Sequence, residues 1–461
     1  MHDKEISCSW LILTRFRLRQ AIVKWLHTEF KMFIAYSFVY SGFLFRLFGI
    51  KKEGLKLILK GRRVADIERA NKIIRNILQQ HAGNRTEFEK LLGIGLTRPI
   101  EDFKSRILIL KLPIFKDNNL IEKGTIIVKF SETFAPMYLA LNLRLLTKYF
   151  YIVLEPSSVG YSLPEILVWG NLGNEKIIVL SAYREDFKFL LDTNTNLVPI
   201  KLGPADWVDT SKFYKTTATK KIYDAIYVAN FNPIKRVERY IRAVVNISRI
   251  RPNYKAALVL AGHGDAKREV LATLECSKKH TSIDVYFDLK QVEINDLFNK
   301  SKVNILISLR EGSNKGLAEG LFSDTPALLI EESVSGNHLH INDQTGRVVP
   351  DSQLESALIW FSDHYTNFTS RDWAMKHISP VASTQILSRK VKELALSDGG
   401  QWSTDLFVKV NKPELNYLNE ENSWLLAERS ELLTQFSLGC NEENIINFLQ
   451  RLQKQAVTNK T

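Results

Sequence analysis

The sequence has little cysteine, and its uncharged runs are short. Its three cysteines, Cys8, Cys276 and Cys440, lie far apart, and no CxxC or CxxxC pair occurs. A disulfide framework and a cysteine-based zinc site are therefore not expected, and the composition suits a reducing cytoplasm. The uncharged run at 32–45 has 14 residues, whereas a spanning helix needs about 20. A transmembrane helix is therefore not favoured, and no small-residue cleavage site marks a secretory signal.

Several familiar catalytic motifs are also missing. The sequence contains no GxSxG, no GxxxxGK[ST] and no HExxH, which weighs against esterase, P-loop and zinc-protease chemistry. Hydrophobic residues make up 45% of the chain, charged residues 25% and aromatic residues 10%. This ordinary globular composition excludes disorder and low-complexity scaffolds. A chain of 461 residues is long enough for two or three domains.

Basic charge is concentrated at the N-terminus. Residues 1–63 contain 13 Lys and Arg against 4 Asp and Glu, whereas the remaining 398 contain 50 against 46. This near-balance beyond residue 63 argues against a nucleic-acid partner. Large apolar side chains at 9–45 stand beside the basic cluster, and two interpretations stay open. The segment either lies on an anionic membrane surface or forms helices packed on the protein body with a solvated basic face.

Short apolar runs alternate with helical stretches through most of the chain, which predicts buried parallel sheets. A helical stretch at 64–92 precedes them. Strands are predicted at 107–112, 125–130, 151–155, 176–182, 225–230, 256–262, 282–287, 303–308 and 326–330, with helices at 134–150, 237–250 and 316–322. The apolar run 197–204 closes the first half of the series. We therefore expect an α/β protein with two Rossmann-like doubly wound domains facing a cleft, a helical N-terminal segment and a helical C-terminal region. The expected boundaries are 1–103 for the basic N-terminal segment, 104–204 for the first Rossmann-like domain, 205–221 for a linker, 222–350 for the second domain and 351–461 for the helical C-terminal region.

The segment 308–332 carries the strongest chemical signal. A buried strand ends in a polar turn with Glu311, and a helix follows that holds Glu319. Ser313 or Asn314 is placed to cap this helix, and free amides at a helix N-terminus form a ready phosphate site. The amides expected to point outward are those of Lys315, Gly316 and Leu317. Taken alone, two glutamates at this spacing are equally consistent with solvated surface charges.

Two further loops follow strands of the same predicted sheet. One contains Lys235 and Arg236 at the start of a helix, where cations are unfavourable against the helix dipole and so indicate an anionic ligand. The alternative is a solvated Lys–Arg pair partnered by Glu238. The other loop supplies Gly262 and Gly264, although ordinary turns use glycine in the same way.

In this order the three loops resemble the donor-binding half of family 4 glycosyltransferases, which are retaining enzymes of the GT-B fold. The resemblance covers residues 222–350 and extends more weakly over 104–221. It implies transfer of a sugar from a nucleotide-diphosphate sugar, with no metal or other cofactor. Lys235 would hold the diphosphate, Glu311 the donor sugar and Glu319 the ribose. The site so implied comprises Lys235 and Glu311 as catalytic residues, with Arg236, Gly262, Gly264, Asn314, Lys315, Gly316, Leu317 and Glu319 binding the donor.

The chain departs from the family pattern at three places. Asn230 stands where many relatives have an arginine, the stretch 107–119 contains no glycine, and no histidine lies between His81 and His263. These departures leave open a second interpretation. The chain would then be a non-catalytic GT-B-like subunit that binds a partner glycosyltransferase or the membrane.

The acceptor side gives a weaker signal. Glu132, Glu155 and Tyr161 stand in polar stretches after predicted strands and are candidates for binding a sugar acceptor. The alternative is a polar loop whose carboxylate is satisfied within the protein. The expected acceptor is a glycan, a lipid-linked intermediate or a polysaccharide, and the expected location is the cytoplasm, peripheral at the inner face of the membrane.

Overall fold

The computed structural model describes residues 10–96, 98–193, 195–217, 219–262, 264–411 and 415–459. The chain folds into two compact units, each built from two stretches of sequence. The first unit comprises Met32–Trp207 and Pro380–Thr461, and the second unit comprises Met1–Lys31 and Val208–Ser379.

Helices make up much of both units. Within the described residues they are α1 (Trp10–His27), α2 (Lys31–Leu47), α3 (Lys51–Val64), α4 (Glu68–Gln80), α5 (Arg85–Leu92), α6 (Ser131–Ala140), α7 (Leu143–Tyr149), α8 (Pro164–Leu167), α9 (Arg184–Thr193), α10 (Val237–Ser248), α11 (Lys267–Ser277), α12 (Gln291–Asn299), α13 (Lys315–Phe322), α14 (Leu354–His364), α15 (Ser370–His377), α16 (Pro380–Ser397), α17 (Arg429–Gln435) and α18 (Glu442–Thr458).

The strands form one principal sheet in each unit and three short pairs. They are β1 (Ile107–Lys111), β2 (Ile114–Lys116), β3 (Asn119–Glu122), β4 (Gly124–Lys129), β5 (Phe150–Glu155), β6 (Ile177–Leu180), β7 (Leu197–Ile200), β8 (Ala225–Ala229), β9 (Lys255–Leu260), β10 (Ser282–Phe287), β11 (Asn304–Leu306), β12 (Arg310–Glu311), β13 (Ala327–Ile330), β14 (Val334–Ser335), β15 (Gly346–Val349), β16 (Lys409–Asn411) and β17 (Leu415–Tyr417). The short pairs are β2–β3, β12–β14 and β16–β17.

The sheet of the first unit has the order β1-β4-β5-β6-β7. Strand β1 runs antiparallel to β4, and the other pairs are parallel. Its central strands are apolar on both faces, and every residue of β1, β4, β5 and β6 is buried. Burial on both faces is the reason that these runs read as continuously hydrophobic in the sequence.

The sheet of the second unit is wholly parallel, with the order β10-β9-β8-β11-β13-β15. Numbered along this unit, that order is 3-2-1-4-5-6, the doubly wound arrangement of Rossmann-like domains. Helices α10, α11 and α14 pack together, and α12, α13 and α15 form another group. The α/β class with parallel sheets and helical terminal regions is thus as the sequence predicts.

The predicted helix at 134–150 is two helices in the structure. Helix α6 contains Pro136 and ends before Leu141, which has an extended backbone. The side chain of Asn142 then accepts a hydrogen bond from the Leu145 amide and begins α7. A local cap therefore breaks what the apolar spacing presents as one continuous helix.

The N-terminal helices are divided between the units. Phe16 of α1 is buried in the core of the second unit, whereas Ala35 and Val39 of α2 are buried in the core of the first. Cys440 is a free cysteine. None of the helices in the described residues has both the length and the apolar content needed to cross a membrane.

Candidate functional site

The candidate site lies at the switch point of the second sheet. Strands β8 and β11 are neighbours there, but the chain leaves them toward opposite edges of the sheet. In doubly wound sheets this divergence opens a crevice at the carboxyl ends of the two strands. The loop after β8 carries Lys235, and the loop after β11 carries Glu311. The strand order therefore brings together two loops that are far apart in sequence.

Lys235 is fixed by a short 3-10 turn, Pro233–Lys235. The Asn232 side chain accepts a hydrogen bond from the Ile234 amide at 3.1 Å, and proline presets the first backbone angle of the turn. The hydroxyl of Tyr227, within β8, donates to the Lys235 carbonyl at 2.5 Å. The backbone of Lys235 is thus held by a hydrogen bond from the strand that precedes it.

The side chains of Lys235 and Glu311 form an ion pair across the two loops, and both are largely buried. Glu311 belongs to β12, which pairs in parallel with β14 and places Glu311 opposite Ser335. A salt bridge in such a position costs desolvation on both sides. The pair therefore brings a cation and a carboxylate together where the loops after β8 and β11 meet.

Arg236 does not belong to this site, contrary to the sequence prediction. Its backbone is left-handed, with φ 56°, and its guanidinium is buried. It donates to the Asp351 carboxylate at 2.9 Å and to the Ile307 carbonyl at 3.4 Å. Because a buried cation must be paired, Arg236 stabilises the loop from inside and is not available to a donor.

The N-terminus of α13 lies beside the ion pair. The side-chain oxygen of Asn314 caps it by accepting a hydrogen bond from the Leu317 backbone amide at 3.0 Å. The backbone amide of Asn314 donates to the side-chain oxygen of Asn337 at 2.6 Å. The Leu317 amide is therefore engaged, and it does not point outward as predicted. Of the three amides predicted to point outward, those of Lys315 and Gly316 have no hydrogen-bond partner among the described residues. Two free donors at a helix N-terminus, with its dipole, suit a phosphate oxygen.

Gly320 allows helix α13 to pack closely against β11. A Cβ atom at Gly320 would lie 2.5 Å from Nδ2 of Asn304, a clash for any other residue. The same amide nitrogen donates to the Gly316 carbonyl at 2.8 Å. Asn304 and Asn337 thus set the helix position. Neither is predicted from the sequence, because each acts through a contact with a residue distant along the chain.

Glu319 stands one turn into α13, on the side of Gly316. Its Oε2 lies 3.9 Å from where a Cβ of Gly316 would be. Burial raises the pKa of Glu319 to about 7, against the opposing effect of Lys315. No described residue hydrogen-bonds this carboxylate, although the group is partly accessible. Glu319 is therefore a carboxyl group with a pKa near 7 that lies beside Gly316 and makes no hydrogen bond to a described residue.

The glycine loop after β9 has a packing role. Gly264 has φ 144°, and a Cβ there would lie 2.1 Å from the Phe231 carbonyl carbon, so only glycine allows this loop to rest on the loop after β8. Gly262, with φ 69°, donates its amide to Asp288 at 2.9 Å. His263, between them, lies outside the described residues.

The three predicted acceptor residues of the first unit differ in how far they are buried. Glu155 is fully buried, is ion-paired with Lys409 and accepts from Asn411 at 3.2 Å. Tyr161 is buried and donates to the Leu180 carbonyl at 2.7 Å. Both are core residues, so the prediction that they bind an acceptor is replaced by a structural role. Glu132, in the first turn of α6, is exposed.

The partners that bury Glu155 come from distant sequence. Lys409 lies 254 positions away and also stacks over the Trp207 ring at 3.9 Å. Nothing local to Glu155 in the sequence indicates these contacts.

No group of three or more His, Cys, Asp or Glu residues placed to hold a metal ion is found in the described part of the chain.

Comparison with known proteins gives only weak similarity. No protein-family profile and no curated protein matches the sequence. The chain is similar to Staphylococcus aureus TarM, solved with Fondaparinux, alpha-GlcNAc-glycerol and UDP, at 13% identity and a TM-score of 0.45, over 58% of this chain and 54% of that one. It thus spans about half the length of TarM.

Two other solved structures give comparable values. Sucrose-phosphate synthase from Thermosynechococcus elongatus is 13% identical with a TM-score of 0.45, over 59% of this chain and 74% of its own. The pneumococcal O-GlcNAc transferase GtfA, solved with UDP and GlcNAc, is 13% identical with a TM-score of 0.41, over 54% and 53%.

Proposed function

We propose that the crevice between β8 and β11 binds a nucleotide-diphosphate sugar and that the protein is a glycosyltransferase. The observation that carries the proposal is the meeting of four groups at one switch point. These are the Lys235 ammonium, the Glu311 carboxylate, the free amides at the start of α13 and the Glu319 carboxyl. Such a set matches a nucleotide sugar, which has an anionic diphosphate between two neutral rings that bear hydroxyl groups.

The diphosphate is assigned to Lys235 and to the amides of Lys315 and Gly316. Lys235 exchanges its partner Glu311 for a phosphate oxygen, and the two amides supply hydrogen bonds directed by the helix dipole. Released from Lys235, Glu311 is free to accept hydrogen bonds from the donor sugar. Glu319 accepts from the ribose hydroxyls.

The reaction breaks the bond between the anomeric carbon and the phosphate oxygen. The bonding electrons leave with the nucleoside diphosphate, where Lys235 neutralises the developing charge. The oxygen of an acceptor hydroxyl bonds to the anomeric carbon, and its proton passes to the departing phosphate. The resemblance to family 4 implies transfer of a hexose with retention of configuration and without a metal. We propose the same here.

The acceptor is proposed to be a glycan, a lipid-linked intermediate or a growing polysaccharide, used at the cytoplasmic face of the membrane. Exposed Glu132 is the remaining candidate for an acceptor contact in the first unit. These assignments extend the donor-site proposal and do not affect it if they fail.

A second candidate function is a non-catalytic subunit that binds a partner glycosyltransferase. It is favoured by Asn230 in place of the arginine found in many relatives, and by the absence of histidine between His81 and His263. This alternative predicts no product with any donor and stable co-purification with a partner enzyme.

The test is nucleotide release from a panel of nucleotide sugars, using the wild type, Lys235→Ala and Lys376→Ala. Lys376 is exposed on α15 in the same unit and serves as the matched control. Removing one charge-stabilising donor typically lowers the rate about 100-fold or more. We expect this loss for Lys235→Ala and wild-type turnover for Lys376→Ala. Turnover by Lys235→Ala at the wild-type rate would contradict the assigned role, and no turnover by the wild type would favour the subunit.

A further inference from the structure

Helix α2 exposes an unusual number of large apolar side chains. Its 17 residues contain no Asp or Glu. One face, with Ala35, Val39 and Gly42, is buried in the first unit. The opposite face presents large side chains that are between 40% and 80% exposed, and we call them the α2 face. Together with the turn that follows the helix, they are Tyr36, Tyr40, Leu44, Phe45, Leu47 and Phe48.

The α2 face is exposed because small residues occupy the buried side. A Cβ at Gly42 would lie 2.5 Å from the Gly54 carbonyl oxygen of α3, and a Cβ at Gly61 would lie 2.7 Å from the Ala35 carbonyl oxygen. Helices α2 and α3 thus approach each other backbone to backbone. The core contact uses the glycines and alanine, and the bulky residues are turned to the outside.

Cations border the α2 face. The Lys60 ammonium lies 4.4 Å from the Phe38 ring centre, and the Arg69 guanidinium lies 5.2 Å from that of Tyr40. Residues 31–63 contain eight Lys and Arg against one acid, Glu53. An apolar stripe with tyrosines and a cationic border has the composition of an interfacial helix.

We propose that the α2 face binds the surface of an anionic membrane. The helix lies in the plane of the interface, about 25 Å long at the standard helical rise. Its Leu and Phe side chains enter the boundary between headgroups and acyl chains, while Lys60 and Arg69 lie at the level of the lipid phosphates. This proposal concerns a different surface from the donor site and stands independently of the reaction.

Charge favours a lipid surface over a second copy of the chain. A symmetric dimer would place the same patch on both partners, and so would bring two basic borders together. Like charges at an interface oppose association. An anionic bilayer instead supplies opposite charge to the whole border and a fluid apolar layer to the stripe.

The experiment is flotation of the full-length protein with vesicles of phosphatidylcholine, with or without about 30 mol% phosphatidylglycerol, which gives the vesicles a negative surface potential. The variants are Leu44→Ser with Phe48→Ser, and as control Leu191→Ser with Leu438→Ser, which are also exposed and in the same unit. We expect the wild type and the control to float with anionic vesicles only. Binding by the Leu44/Phe48 variant should fall about tenfold or more, because two apolar side chains are lost from the interface.

Two results would overturn the proposal. One is equal flotation of the wild type and the Leu44/Phe48 variant, which would assign any lipid binding to another surface. The other is a wild-type protein that does not float with vesicles and is a dimer in light scattering, whereas the Leu44/Phe48 variant is a monomer. That result would make the α2 face an interface between copies of the chain.

Discussion

Glu319 is a carboxyl group whose pKa differs clearly from that of a free side chain. Its carboxyl lies partly buried beside the free amides of α13, and burial raises its pKa to about 7. A ribose hydroxyl donates more strongly to a carboxylate than to a neutral acid. A ligand that prefers the ionised form must therefore bind more tightly as the pH rises through this pKa.

The expected result is a pH-dependent nucleotide affinity that Glu319→Gln removes. Between pH 6 and pH 8 the ionised fraction of a group with this pKa rises about tenfold, so the affinity of the wild type should rise about tenfold relative to the variant. The measurement is calorimetric titration at both pH values. Comparison with Glu319→Gln cancels the titration of the nucleotide phosphate itself. Parallel pH profiles for the two proteins would remove Glu319 from the ribose contact.

Asp351 pairs with three cations close to the loop that carries Lys235. It accepts from Arg236 and Arg239 and is also paired with Lys24 of α1 at 2.7 Å. Hydrogen bonds and charge from Arg236, with Lys24 and Arg239, outweigh burial and hold the pKa of Asp351 well below its usual range. Its contribution to stability is therefore present above the pKa of an unfolded aspartate and is lost as the pH falls through the lower folded value.

We expect Asp351→Asn to lower the free energy of unfolding at pH 7 by about 3 kcal/mol or more, because it leaves Arg236 and Arg239 buried without their shared carboxylate. Urea denaturation of the full chain measures the change. Asp343→Asn, at an exposed position in the same unit, is the control and should be close to neutral. A shift of less than about 1 kcal/mol for Asp351→Asn would show that the cluster is not a structural ion-pair network.

At the residue scale, the sequence indicates which charged residues the loops carry, but it does not indicate which residues they contact. Lys235, Glu311 and Glu319 lie at one crevice, as the order of motifs suggested. Arg236 looks like a second phosphate ligand in sequence, because neither its left-handed backbone nor its contact with Asp351, 115 positions away, leaves a local signal.

At the scale of elements, helix packing depends on where glycine stands. A Cβ at Gly54 of α3 would lie 2.6 Å from the Gly42 carbonyl oxygen and 2.6 Å from Cγ of Arg46. In an uncrowded helix, replacing glycine by alanine stabilises by about 0.5–1 kcal/mol. Here the close backbone contact should reverse the sign.

Gly54→Ala is accordingly expected to lower the melting temperature, with a cost of about 1–3 kcal/mol for overpacking. Gly95→Ala, where a Cβ meets nothing within 4 Å, is the control and should melt like the wild type. Thermal unfolding followed by circular dichroism distinguishes the two. A more stable Gly54→Ala protein would mean that α2 and α3 are less closely packed than described.

The buried strands are the elements best predicted from the sequence, because a strand buried on both faces appears in the sequence as a continuous apolar run. Helix ends were less predictable. The break between α6 and α7 depends on the Asn142 cap, which is a single residue inside an apolar pattern. The glycine contacts of α2 with α3 are likewise invisible in a pattern that records only which residues are apolar.

At the scale of the whole molecule, strand order is what brings together the residues of the proposed donor site. The sequence places β8 and β11 far apart, and only the 3-2-1-4-5-6 order brings their carboxyl ends side by side. The α/β class follows from alternating elements, but this adjacency does not. The division of the N-terminal helices between two units is also beyond a linear pattern, since it depends on where Phe16, Ala35 and Val39 become buried.

The central claim is that the switch point of the second unit is a nucleotide-sugar site. The most direct measurement is calorimetric titration of UDP, GDP and ADP into the wild type and into Glu319→Ala. We predict that one nucleotide binds selectively, with one site per chain, and that Glu319→Ala weakens this binding. No binding of any of the three at millimolar concentration, or equal binding by the wild type and the variant, would contradict the claim.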